Sequence, residues 1–358
     1  MTKIVQEDIQ RIYAGLSDAE RRTLSGKTVL VTGYAGSLGY LLMQFLRAYG
    51  ESLEIPRVIG IDNFQFGRPV WVDELRADPR FQLIEGDITV CGLSPAADAQ
   101  IILHMASLAS PVYYRLHPIE TIDADVIGLR RLLDFYRDRE IYSLLFFSTS
   151  EIYGNPAPDQ IPTPETYFGY VNTSGPRACY DESKRFGETL CYNYHHQYQM
   201  PVTVIRPFNS FGPGLRTNDQ RVVADFASNV LNKEDLVIYS DGKVTRTFCY
   251  ASDTVTGMLK CALYGAYGIF NIGSDQEELS VAGLAQVYRE VAEKQTGYSG
   301  QICYRTHSDI HYLTDNPQRR CPDLSRARTL LHYAPQIDTR HGVDRYLEHL
   351  LEMEESRI

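Results

Sequence analysis

The chain has no stretch approaching the roughly 18 consecutive apolar residues that a membrane-crossing helix needs, and it has no surplus of positive charge. With 35 Lys and Arg against 45 Asp and Glu, its formal charge is −10. That balance excludes the broad basic field through which proteins hold nucleic acid by counterion release, so an anionic ligand has to be met by individually placed arginines. There is no CxxC pair and no Cys/His cluster at zinc spacing. The seven cysteines (91, 179, 191, 249, 261, 303 and 321) are odd in number and scattered, which reads as reduced thiols in a reducing compartment and as no metal site. Residues 1–24 carry acids and arginines throughout, unlike a secretory or organellar leader, so a cytoplasmic location is expected.

What the chain does have is apolar material, 44% of 358 residues with 22% charged, enough for a large buried core. Ile4, Val5, Ile9, Ile12, Tyr13 and Leu16 fall at helical spacing before a break at Ser25-Gly26, which predicts an amphipathic helical extension over residues 1–24 covering core or a partner subunit. KTVLVT (27–32), a glycine loop, a helical pattern over 37–49 and a second apolar run over 57–61 make one βαβ unit. Residues 81–84, 101–104 and 144–148 read as further buried strands, with a helical stretch over 119–139. Strands alternating with helices predict an α/β fold, a doubly wound parallel sheet. A Pro-, Thr-, Gly- and Asn-rich loop spans 156–176, followed by a helix over 179–198 and a strand over 201–206. Later elements are a helix over 222–231, strands near 236–239 and 269–272, and helices starting at Val281 and Val343. The expected division is a dinucleotide-binding domain with the catalytic residues over 25–200, and over 201–358 a smaller, mainly substrate-binding α/β lobe interleaved with it.

Gly33-Tyr34-Ala35-Gly36-Ser37-Leu38-Gly39 is GxxGxxG set directly after a strand and at the start of a helix. Glycines let backbone approach a pyrophosphate, and the helix N-terminus at Ser37 and Leu38 offers N–H donors to it. Asp62, with Asn63 beside it, follows the second strand, where an acid accepts from ribose hydroxyls and repels a 2′-phosphate, favouring NAD over NADP. Asp87 and Ile88, after the third strand, are placed for the adenine edge. His104 is assigned no catalytic part.

Tyr180 and Lys184 stand four apart on the 179–198 helix and share a face. A phenol of pKa about 10 is a poor base at neutral pH; a neighbouring ammonium is expected to favour the phenolate. About thirty residues earlier stand Ser150 and Glu151.

With HMASLASPVYY (104–114), STSEIYG (148–154), GPRACYDESKRFGETL (175–190), RPFNSFGPGLRTNDQRVV (206–223), GKVTRTFCYASD (242–253) and RCPDLSRA (320–327), the chain resembles the extended short-chain dehydrogenases/reductases, and within them the UDP-glucuronate decarboxylases. The resemblance implies an NAD-dependent cycle on a nucleotide-linked hexuronic acid: oxidation at C4, loss of CO₂ from the β-keto acid, and re-reduction at C4. It implies Tyr180 as the base, Ser150 as donor to the developing ketone, and Glu151 with Arg246 as the pair that handles the carboxylate. It implies further that Asn209, Asn218 and Arg221 hold the nucleotide diphosphate, that Tyr113, Tyr114 and Arg177 line the sugar pocket, and that two copies pair as a homodimer. The glycine loop reads GYAGSLG where relatives more often have GGAGFIG, a departure that bears on substrate identity more than on reaction type. Rival readings are a 4,6-dehydratase, against which Ser150 stands where an acid is needed, a 4-epimerase, and a non-catalytic NAD-binding sensor.

Overall fold

The computed structural model describes residues 1–309 and 311–355. Two helices open the chain, α1 (Lys3–Gly15) and α2 (Asp18–Leu24). Ile4, Val5, Ile9 and Ile12 are buried, as their spacing predicts. They pack α1 against α3 (Ser37–Tyr49) and against a helix at Ala251–Ala262. Sequence periodicity does not reveal this second helix, because every residue in it but Thr256 is buried and it has no polar face to alternate with. Asp8, on the buried side of α1, accepts from the Tyr250 hydroxyl at 2.8 Å and pairs with Arg345 at 2.7 Å, tying α1 to the C-terminal helix Thr339–Glu355.

Val29–Thr32 (β1) is buried at every position, as a strand covered on both faces must be. Val58–Asp62 (β2), Phe81–Glu85 (β3), Ile101–His104 (β4), Ser143–Phe147 (β5), Val202–Pro207 (β6) and Gly268–Ile272 extend it into one parallel sheet. Across the sheet the order is Gly268–Ile272, β6, β5, β4, β1, β2, β3. The winding reverses at β1, which has β2 on one side and β4 on the other, so a crevice opens beyond the register partners Thr32 and His104.

The helical stretch expected over 119–139 is interrupted: Pro118–Ile122 and Leu129–Tyr136 are joined through a π-helical turn, Asp123–Gly128, that buries Asp125. In the C-terminal part, the helices Val222–Leu231, Val281–Thr296 and Thr339–Glu355 enclose a second apolar cluster that includes Phe226, Tyr288 and Tyr346. Beside it lies a three-stranded sheet of Glu278–Ser280, Thr245–Thr247 and Arg319–Arg320. Its parallel pairing sets Arg320 opposite Arg246. Among the described residues no helix is long and apolar enough to cross a membrane.

Candidate active site

A cavity of about 660 Å³ runs from the β1/β4 crevice to the three-stranded sheet, and every site residue singled out in the sequence lines it. At one end is the glycine loop. Gly33 has φ +72°, and a Cβ there would stand 2.6 Å from the Ala106 backbone, so only glycine fits. Gly36 caps α3 without a side chain, which leaves the turn at Ser37, Leu38 and Gly39 open to the cavity. This cradle fits a dinucleotide pyrophosphate. Asp62 accepts from the backbone N–H groups of Ala35 at 2.9 Å and Phe64 at 2.8 Å, so it braces the glycine loop as well as facing the cavity. Asn63 donates to Asp87 at 3.2 Å, bridging the loops after β2 and β3, where Ile88 also lines the wall.

Tyr180 and Lys184 lie one turn apart on the helix Ala178–Tyr198, both buried. The Tyr180 ring stacks on Tyr114 with centroids 5.0 Å apart. Lys184 Nζ donates to the Phe147 carbonyl at 2.7 Å and pairs with Asp125 Oδ1 at 2.8 Å. Burial, then the Asp125 carboxylate, push the phenol above its ordinary value, and a hydrogen bond with Thr149 opposes them only in part.

Ser150 and Glu151 open a single 3₁₀ turn directly after β5, which carries both side chains to the crevice. Glu151 has its ion-pair partners in Arg177 and Arg320. Arg320 grips its carboxylate with both Nη atoms, Nη2 at 2.7 Å from Oε2, and Arg177 adds a further hydrogen bond. Burial alone would raise the pKa of Glu151, but Arg177 and Arg320 outweigh it and hold the group far below the carboxylate range, so it is ionised.

Among the described residues Arg246 donates to neutral acceptors only: the Thr245 carbonyl at 2.7 Å, the Pro317 carbonyl at 2.6 Å and Asn316 Oδ1 at 3.0 Å. Burial, then the like charge of Arg320, depress it to about 9. Asp181 is raised to about 8 by burial and by Glu151, and its Oδ1 has no hydrogen-bond partner among the described residues. Three guanidinium groups, Arg177, Arg246 and Arg320, therefore stand around the Glu151 carboxylate, with Asp181 Oδ2 3.8 Å from Arg177 Nε. Like charges set opposite each other on paired strands repel; this cluster has room for one more anion.

Arg221 is paired with Asp219, its Nη2 3.1 Å from Oδ2. The Asn209 amide donates to the Thr247 carbonyl at 2.8 Å, which holds its own loop. Asn218 is exposed, and the Tyr113 ring lies tilted against Phe66 with centroids 4.3 Å apart on the cavity wall. Two important residues are missing from the sequence-based set. Arg320 opens the RCPDLSRA stretch, but nothing local announces a partner 169 residues away. Asp125 sits inside a helix whose pattern shows only a buried acid.

Known proteins bear on this geometry. The NAD-dependent epimerase/dehydratase family matches residues 29–273. The chain is 37% identical over 318 residues to UDP-glucuronic acid decarboxylase 2 of Arabidopsis thaliana, covering 89% of this chain and 67% of that protein. It is 36% identical over 324 residues to UDP-glucuronic acid decarboxylase 1 of Xenopus tropicalis, covering 90% and 72%. Among solved structures, UDP-glucuronic acid 4-epimerase of Bacillus cereus, in complex with UDP-glucuronic acid and NAD, superposes with a TM-score of 0.74 at 25% identity, covering 91% of this chain and 99% of that one. UDP-glucose 4-epimerase of Thermotoga maritima gives a TM-score of 0.76 at 22% identity over 91% and 99%, a likeness of fold.

Proposed function

Since this chain belongs to the NAD-dependent epimerase/dehydratase family of extended short-chain dehydrogenases/reductases, we propose that it decarboxylates a nucleotide-linked hexuronic acid, converting UDP-glucuronate to UDP-xylose. One observation carries the reading: the excess of guanidinium over carboxylate around Glu151, in which Arg246 has no ion-pair partner among the described residues. A hexuronate carboxylate supplies that partner. A hexose carries no such charge, and would leave the cluster uncompensated.

Gly33 to Gly39, Asp62 and Asn63 would hold NAD, which when bound would supply the hydride acceptor for oxidation at C4 and the donor for re-reduction. Tyr180 takes the proton of the 4-hydroxyl. Ser150, buried on the wall of the same cavity, hydrogen-bonds the ketone that forms. The product is a β-keto acid, so CO₂ leaves with its electron pair delocalised as an enolate and not left as a bare carbanion. Arg246 holds the carboxylate until it departs. Glu151, ionised between Arg177 and Arg320, orients that cluster and disfavours the carboxylate ground state by like-charge repulsion. C5 of the enolate then takes a proton from water, and Tyr180 returns its own to O4.

Residues 25–200 carry the cofactor and the reacting groups, while 201–358 mainly hold the nucleotide sugar, with Arg221, Asn209 and Asn218 toward the diphosphate. The free cysteines among the described residues support work in the reducing cytoplasm. A homodimer is supported by apolar residues left exposed on two helices packed together, Ile119 and Ile122 on one and Phe186 on the other.

The test is incubation of the purified protein with UDP-, dTDP- and GDP-linked uronates, followed by mass spectrometry and CO₂ capture. UDP-glucuronate is expected to yield CO₂ and a UDP-pentose with no net build-up of NADH. A product of unchanged mass would indicate epimerisation, loss of water would indicate dehydration, and absence of CO₂ across the panel would reject decarboxylation.

A further inference from the structure

Lys184 is the only lysine lining the cavity among the described residues, and it is placed differently from a free base-activating cation. Its ammonium lies 5.7 Å from the centre of the Tyr180 ring but only 2.8 Å from Asp125 Oδ1. Asp125 is fully buried, and its other oxygen accepts from the Ser183 hydroxyl at 2.8 Å. The carboxylate is delivered by the π-helical turn Asp123–Gly128, a backbone form that recurs at functional positions. A buried ion pair contributes little net stability compared with apolar packing, so its presence beside the reacting phenol calls for a role there.

Opposite charges at contact distance act on a third group mainly as a dipole, and the attraction of Lys184 for a phenolate is largely cancelled. The other charged side chains facing Tyr180 do not restore it. Glu151 and Asp181 oppose the phenolate, and Arg221 is already paired with Asp219. Arg177 is engaged by Glu151. His104, behind Lys184, is held at about 3 by burial and by the ammonium, and so is neutral.

We propose that Asp125 is a positioning residue of the reaction: it fixes the Lys184 ammonium against the Phe147 carbonyl and, by cancelling its charge, sets the pH at which Tyr180 becomes a base. The proposal rests on the reading of Tyr180 as the C4 base, and that reading has its own test.

Tyrosinate difference absorbance, with each protein measured against its Tyr180→Phe counterpart, isolates one phenol among 25 tyrosines in the NAD-containing enzyme. Asp125→Asn is expected to lower the Tyr180 midpoint by at least about one pH unit, a tenfold rise in phenolate fraction below the midpoint. The acid limb of kcat/KM is expected to move the same way. Asp125→Glu, which keeps the charge but displaces it, is expected to hold the wild-type midpoint while kcat falls. Asp125→Ser, small enough for the same site, replaces the Asn variant should that one misfold. A charge-removing variant that loses turnover with its midpoint unmoved would make Asp125 merely structural and overturn the proposal. If Tyr180→Phe alone still oxidises C4, it is the base assignment that fails.

Discussion

Arg320 decides what Glu151 can do. With two hydrogen bonds from Arg320 and another from Arg177, Glu151 is held as an anion, so in the proposed reaction it acts by orientation and repulsion and not as a resting proton donor. Each charge-assisted bond to a buried carboxylate contributes on the order of 1.5–3 kcal/mol. Arg320→Ala is therefore expected to lower the single-turnover rate of CO₂ release by roughly 100-fold while the NAD content of the purified protein stays at wild-type level. Arg320→Lys should recover little, because a single ammonium cannot reproduce the two-pronged grip. A variant with wild-type turnover would remove Arg320 from the site. Tyr180 and Lys184 are legible in the sequence because the helical repeat alone puts positions four apart on one face. The partners of Glu151 are not, because they come from 26 and 169 residues away and no local rule relates them.

At the scale of elements, the chain ends are joined where Thr2 caps α1, accepting from the Val5 N–H at 3.3 Å, and stands 2.8 Å from Nδ1 of His349 on the C-terminal helix. Burial, together with the N-terminal charge, lowers the His349 pKa to about 4 from an ordinary 6.5. Between those values the unfolded chain takes up the proton more readily than the folded one. Stability from this group is thus full above about pH 6.5 and is lost as pH falls toward 4, by up to roughly 3 kcal/mol. Asp8, Asp225 and Asp253, each raised to about 6, act in the opposite sense over part of that range. The measurement is therefore a difference: calorimetric Tm against pH for His349→Gln and wild type is expected to show a flatter acid limb in the variant, and parallel curves would exclude the assignment. The βαβ unit and its glycine loop were legible at this scale from strand, loop and helix signals in series. The helix Ala251–Ala262 and the π-helical turn were not, since complete burial erases the periodicity that marks a helix, and a π turn has no sequence signature.

For the whole molecule, the net charge of −10 and the positive cluster at Glu151 are compatible because the arginines are confined to one buried site. The exposed apolar residues Ile119, Ile122 and Phe186 form a surface of a different kind. Sedimentation of the wild type is expected to give two copies per particle, and Ile119→Glu combined with Phe186→Glu is expected to give one; a monomeric wild type would rule out the dimer. From the order of its residues alone, this chain specifies a doubly wound α/β sheet, a dinucleotide loop after its first strand and a Tyr/Lys pair on one helical face, because each depends on contacts between near neighbours or on a repeating pattern. Which charge meets which was decided only by the tertiary structure. Asp125 reaches Lys184, and Arg320 reaches Glu151, through the winding of the sheet and the pairing of two short strands, contacts between distant segments that a linear pattern does not encode.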